Sequence, residues 1–239
     1  FAFVDAGDRL SVKPAPQDQL RTVGEFGGQL TDPFDNIVMQ ALSALPRPQG
    51  WAVTLEKNLP VAAGLGGGSA DAGALFRLYD REYGLPDDWQ ARAAKLGADV
   101  PACVESETCV GRGTGTELEP VVNDLAGTPV LLVNPRVPLS TGPVFKGWDG
   151  EDRGPLPRGT ASEIAYAGRN DLEASAIALC PVVTEVLDAL RETQPLLARM
   201  SGSGATCFAL YPPHGCMETA EEVIRTVYPD WWCMSGYLR

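Results

Sequence analysis

The run Leu59-Pro60-Val61-Ala62-Ala63-Gly64-Leu65-Gly66-Gly67-Gly68-Ser69-Ala70-Asp71-Ala72 constrains this chain more than any other segment. Upstream of it, Trp51, Val53 and Leu55 alternate with Ala52, Thr54 and Glu56, the period-two pattern of a half-buried strand. Downstream, Ala74, Leu75, Leu78 and Tyr79 recur at helical spacing. Glycines between a strand and a helix let the backbone reach positive φ and approach a ligand closely. Amides at the helix start, helped by the helix dipole, then favour an anion such as a nucleotide phosphate. Ser69 can donate its hydroxyl to a phosphate oxygen, ligate magnesium, or simply cap the helix, and the residues alone leave these open. A Walker A loop is excluded, because no lysine lies between Lys57 and Lys95. A dinucleotide fingerprint fits poorly, since Ala70 replaces or shifts its third glycine.

Composition narrows the class. Apolar residues make up 44% of 239, enough for a buried core, and the formal net charge is −12. A general nucleic-acid binder needs a basic face, so that class is set aside, while a small anionic ligand held by backbone amides is not. The sequence shows no apolar run long enough for a membrane span and no secretion signal. Six cysteines without a CxxC pair, and the single His214, argue against structural zinc. Cys103, Cys180 and Cys207 lie in apolar runs and read as small hydrophobes of a reduced, cytoplasmic protein.

Periodicity gives a mixed α/β pattern with recurring strand–helix–strand units. Phe1 to Leu10 reads as a strand already under way. Asp35 is placed to cap a helix carrying Ile37, Val38, Ala41, Leu42 and Leu45. Asp87 or Asp88 opens another helix that Gly97 ends. Residues 111–128 suit a hinge, Pro129 to Asn134 a buried strand, and residues 135–170 long irregular connections. Pro181 opens a helix with Val183, Val186, Leu187 and Leu190 on one side. Residues 206–211 read as a strand, Met217 to Val227 as a helix, and Trp231 to Tyr237 as the last strand.

Two further segments carry chemistry. In Leu96-Gly97-Ala98-Asp99-Val100-Pro101, a carboxylate between a helix end and a strand could orient the proton of an attacking hydroxyl at the mouth of a phosphate site. An ordinary turn aspartate is the plainer alternative. Met200-Ser201-Gly202-Ser203-Gly204-Ala205-Thr206 is a second small-residue loop before an apolar strand. Phosphoryl transfer needs mainly positioning and charge stabilisation, so two such loops and one aspartate together suggest a nucleotide-using transferase.

These segments resemble the GHMP kinases over essentially the whole chain, and within them the branch acting on 4-diphosphocytidyl-2-C-methyl-D-erythritol. The nucleotide loop corresponds to Pro60–Ser69, with Ala62 and Ala63 where glycines are usual. The Leu-Gly-Ala-Asp-Val-Pro segment corresponds to Leu96–Pro101. Gly113-Thr114-Gly115, Thr141–Lys146, Asn170–Glu173 and Ser201–Ala205 match further family segments. The resemblance implies a two-domain α/β fold of the α+β type, with an ATP-binding domain in residues 1–112 and a substrate-binding domain in residues 113–239. It implies ATP and Mg2+ as cofactors, with Pro60, Val61, Ala62, Ala63, Gly64, Leu65, Gly66, Gly67, Gly68, Ser69 and Ala70 on the nucleotide and Asp99 as general base. It also implies that Phe145 stacks on cytosine, with Thr114, Gly115 and Thr141 on the substrate; metal ligands are not assigned. Phe145 could instead be a satellite core residue, Lys146 reads as a solvated lysine, and Asn170 and Asp171 as a helix cap. The substrate is thus a small molecule, used in making non-mevalonate isoprenoid precursors. A homoserine or mevalonate kinase, or a catalytically silent relative, would share the loops.

Two departures from the family pattern stand out. Its Lys-x-Asn-Leu strand and Asp-Gly-Tyr-His segment do not occur here, and the chain begins at Phe1, so the expectation is that a segment precedes Phe1. Ala70-Asp71 stands where Ser-Asn is frequent, and an added carboxylate would repel phosphate unless it faced magnesium or solvent.

Overall fold

The computed structural model describes residues 1–32, 35–214 and 216–239. Two compact units divide it: the first holds Phe1, Gly7–Val61 and Gly66–Pro120, the second Ala2–Ala6, Ala62–Leu65 and Val121–Arg239.

The first unit contains β1 (Arg9–Ala15), β2 (Gln19–Val23), α1 (Ile37–Ala44), β3 (Gly50–Glu56), α2 (Gly67–Tyr83), α3 (Trp89–Leu96), α4 (Val100–Glu105), β4 (Cys109–Arg112) and β5 (Glu117–Pro120). A three-stranded sheet runs in the order β1-β3-β2, with β1 antiparallel and β2 parallel to the central β3. The alternation in β3 is as expected: Trp51, Val53 and Leu55 are buried and their neighbours are not. Those side chains share a core with Val38, Leu42, Leu75 and Phe76 from α1 and α2. Helix α2 comes very close to α4, because a Cβ at Gly73 would lie 2.5 Å from the Cys103 carbonyl carbon.

The second unit contains β6 (Pro129–Asn134), α5 (Thr141–Lys146), α6 (Ala161–Ala167), α7 (Glu173–Leu179), α8 (Val182–Glu192), β7 (Leu197–Met200), β8 (Cys207–Leu210), α9 (Met217–Val227) and β9 (Trp232–Tyr237). Its four strands form an antiparallel sheet in the order β7-β8-β6-β9. Every residue of β6 is buried. The expected face of α8, Val183, Val186, Leu187 and Leu190, packs with Leu131, Val133 and Ile224. Each such large side chain contributes about 1.5–3 kcal/mol by leaving water.

The structure corrects four local expectations. Phe1 to Leu10 is not one strand: β1 starts only at Arg9, and Val4 makes an isolated bridge to Leu238. The segment's hydrogen bonds are divided, for the Asp5 amide donates to the Tyr237 carbonyl while the Asp8 carboxylate accepts from the amides of Asn58 and Leu59. Helix α1 is capped by Asn36 rather than Asp35, its Oδ1 accepting from the Val38 amide at 2.9 Å. Residues 135–170 hold two helices, and α6 starts with a capping box in which Thr160 and Glu163 satisfy each other's backbone amides. Within residues 111–128, the β4–β5 hairpin replaces much of the expected hinge.

Candidate active site

In the first unit the glycine loop runs into α2. Gly66 precedes the helix in the left-handed region, φ 63° and ψ 19°, and no side chain caps the first turn. The first amides of a helix lack intrahelical acceptors. Here they are left for an outside acceptor, at the positive end of a helix of 17 residues. Ser69 therefore sits within the first turn and is not the cap, which corrects that alternative. Of the expected loop residues in this unit, Val61, Gly66 and Gly68 are exposed, and Pro60, Gly67, Ser69 and Ala70 are half-buried.

Asp99 follows Gly97 after the intervening Ala98. A Cβ placed on Gly97 would lie 3.8 Å from the Ser69 hydroxyl, so the loop's serine abuts the Gly97–Asp99 segment. Asp99 is exposed and precedes the helix α4 rather than the expected strand, yet its carboxylate does not cap that helix. A Cβ on Gly115 would lie 3.9 Å from Asp99 Oδ1 and 3.8 Å from the Ala98 carbonyl oxygen. Ser69, Asp99 and Gly115, far apart in sequence, thus gather in one region of the first unit. Thr114 is exposed, its hydroxyl 3.2 Å from that of Thr116. Cys103, in α4, is no competing nucleophile, because burial, then the nearby Asp99 charge, push its thiol up to about 12.

A buried ion cluster lies beneath this region, and sequence reasoning missed two of its three members. Lys57 Nζ donates to Asp71 Oδ2 at 2.8 Å and to Asp8 Oδ2. The side chains of Lys57, Asp8 and Asp71 are 3%, 5% and 5% exposed. Asp71 thus faces a lysine and is withdrawn from solvent. Burial pushes its carboxyl up to about 7; the Lys57 charge opposes this and the Asp8 charge adds to it. No periodicity or motif announces Asp8 or Lys57. The signal available was a lone lysine beside the loop, which reads equally well as a surface charge.

In the second unit, Ala62, Ala63, Gly64 and Leu65 are held by the other small-residue loop. The Ser201 hydroxyl donates to the Gly64 carbonyl at 2.8 Å, and the Thr206 amide to the Ala63 carbonyl at 3.3 Å. Asn170 braces that loop in turn, its side-chain amide donating to the Met200 and Gly202 carbonyls at 2.9 and 2.8 Å. Its Oδ1 also accepts from the Leu172 amide at 3.0 Å, but the capping position of α7 is Leu172 and no side chain caps it, which corrects the cap expected at Asn170 and Asp171; Asp171 pairs with Arg169 at 2.8 Å instead. Thr141, which opens α5, has its hydroxyl 3.0 Å from that of the buried Ser203. Phe145 is 58% exposed while its neighbour Val144 is fully buried, so Phe145 is not a core residue.

Residues 36–107 match the GHMP kinases N terminal domain, and residues 158–230 match GHMP kinases C terminal. The chain is 67% identical, over its whole length and 83% of the relative's, to 4-diphosphocytidyl-2-C-methyl-D-erythritol kinase of Novosphingobium aromaticivorans. The chain belongs to the GHMP kinases. It is accordingly an ATP-dependent small-molecule kinase, with the mixed α/β fold its motifs implied. The kinase is also 61% identical to the enzyme of the same name from Erythrobacter litoralis, covering 100% of this chain and 89% of that one. A crystal structure of 4-(cytidine 5'-diphospho)-2C-methyl-D-erythritol kinase matches it with a TM-score of 0.79 at 30% identity, over 99% of this chain and 88% of the other. Homoserine kinase from Cytophaga hutchinsonii shares the fold, with a TM-score of 0.73 at 15% identity over 98% and 87% of the two chains. Among the described residues, no helix is long and apolar enough to cross a membrane, and no group of three or more His, Cys, Asp or Glu side chains could hold a metal ion.

Proposed function

We propose that this kinase transfers the γ-phosphoryl group of ATP to the 2-hydroxyl of 4-diphosphocytidyl-2-C-methyl-D-erythritol, in the cytoplasm, on the way to isoprenoid precursors. The observation that carries the reading is the uncapped first turn of α2 with Asp99 in the same region. High identity to two relatives bearing that substrate's name supports the choice of acceptor.

In this reading residues 1–112 serve the nucleotide and residues 113–239 the substrate. The amides from Gly66 to Ser69 receive phosphate oxygens, that of Ala70 being already given to the Gly66 carbonyl at 2.8 Å, and Pro60 and Val61 lead the chain toward them. Asp99 accepts the proton of the 2-hydroxyl as its oxygen bonds to the γ-phosphorus. The bond from that phosphorus to the β–γ bridging oxygen breaks, and ADP leaves. Most of the catalysis is positioning and charge stabilisation rather than covalent chemistry by the protein. Ser69 offers an oxygen donor of the type Mg2+ takes, which fits a metal held mainly by phosphates and water. When bound, Mg2+ neutralises charge on the phosphates. Phe145, exposed on α5, offers a face for the cytosine ring, with Thr141 at the start of the same helix. Stacking of that kind is worth about 1–3 kcal/mol per base.

The deciding assay is ADP release with three acceptors: diphosphocytidyl-methylerythritol, mevalonate and homoserine. Turnover with the first alone is expected. Turnover with only mevalonate or homoserine would overturn the choice of substrate, and ATP binding without turnover on any acceptor would mark a silent relative.

A further inference from the structure

We propose that the Asp8–Lys57–Asp71 cluster is a clasp that positions the glycine loop for ATP, an inference that rests on the reading of that loop as the nucleotide site. Lys57 is the last charged residue before the loop, and Asp71 lies in α2 just after it, 14 positions further on. The lysine thus ties the chain entering the loop to the helix leaving it. Asp8 secures the entry side: Oδ1 accepts from the amides of Asn58 at 2.6 Å and Leu59 at 2.8 Å, while Oδ2 takes the lysine. The cluster also lies directly beneath the first residue of α2. A Cβ on Gly67 would come within 3.2 Å of Lys57 Nζ and 3.6 Å of Asp8 Oδ2.

Energetics favour a positional role over a stabilising one. Withdrawing ionised groups from water costs several kcal/mol per ion, and apolar residues of similar size would serve stability as well or better. A buried ionic cluster does fix geometry, because moving any member leaves another charge buried and unpaired. The amides that would receive phosphate gain most from being held still, since their worth lies in pre-set direction. Asp8, Lys57 and Asp71 are therefore positioning residues, not catalytic ones.

Binding of a non-hydrolysable ATP analogue, amide hydrogen exchange and steady-state kinetics, all on the full chain, test this. For Asp71→Ala we expect at least a tenfold rise in the analogue's Kd and in KM for ATP. The amides of residues 66–70 should exchange at least tenfold faster, with kcat at saturating ATP kept within threefold. Asp71→Asn, which keeps an oxygen for Lys57, should restore exchange and affinity to within threefold of the parent. Weaker binding with unchanged exchange would overturn the clasp in favour of direct contact with the nucleotide, and no change in either would overturn it as well. Should Asp71→Ala not fold, the unaltered chain still decides. The amides of Asn58, Leu59 and residues 66–70 should open together with one denaturant dependence, and independent opening would sink the idea. The underlying reading fails separately: the analogue would then leave exchange at residues 66–70 unslowed in the unaltered chain, whatever the variants do.

Discussion

Lys57 and Asp71 meet at 2.8 Å within the first unit, both side chains almost wholly removed from water. The aspartate's carboxyl is raised to about 7 from an ordinary value of 3.8, chiefly by burial. Between those values the folded chain keeps a proton that the unfolded chain has already released. The native state then binds more protons than the unfolded one, so stability from this group falls as pH rises through that window and levels off above it.

A pH prediction follows from that sign. Urea unfolding at pH 5 and at pH 7.5 should show a loss of stability across the interval in the parent, and a smaller loss in Asp71→Asn, which cannot titrate. Equal losses in the two chains would show that Asp71 ionises as an ordinary surface carboxyl does.

Asp99→Asn should lower kcat by about 10²–10⁴, the usual contribution of a general base. ATP affinity should stay within twofold, because the carboxylate is exposed and does not cap the adjoining helix. Turnover equal to the parent's would place the base elsewhere.

Packing of α2 on α4 can be tested at Gly73. The added methyl of Gly73→Ala would press on Cys103 backbone, and overpacking of this kind costs about 1–3 kcal/mol. Gly142→Ala, in α5 with open space around it, should be neutral or stabilising by up to about 1 kcal/mol. Chemical denaturation of both variants reads the contrast, and equal effects would contradict the close approach of the two helices.

Phe145→Ala should barely alter stability, within about 0.5 kcal/mol, because the ring is largely in solvent. If the ring stacks on cytosine, KM for the cytidine substrate should rise about tenfold or more, in line with a stacking energy of about 1–3 kcal/mol. Initial rates across substrate concentration would show it. An unchanged KM would remove Phe145 from the substrate site.

Local pattern carried much of this protein. Alternation fixed β3, because one face of a strand must be apolar to be buried, and Trp51, Val53 and Leu55 are. The apolar stripe of α8 and the continuous apolar run of β6 were legible for the same reason. The glycine loop could be picked out because glycines between a strand and a helix serve few purposes, whereas Asp99 by itself reads as a turn aspartate and stands out through the family resemblance. Helix α6 was also legible in principle: Thr160 and Glu163 spell a capping box, hidden among prolines and glycines.

Tertiary structure decided what lies far apart along the chain. Nothing local tells that Asp8 reaches Lys57, that Asp71 turns inward to the same lysine, or that Asn170 braces the Ser201–Thr206 loop. The strand expected at Phe1–Leu10 failed likewise, its hydrogen bonds being taken by Tyr237 on one side and by Asn58 and Leu59 on the other. Periodicity reports which face of an element avoids water. A buried charge finds its partner only when the chain closes on itself, since the cost of leaving it alone is set by surroundings no single segment contains.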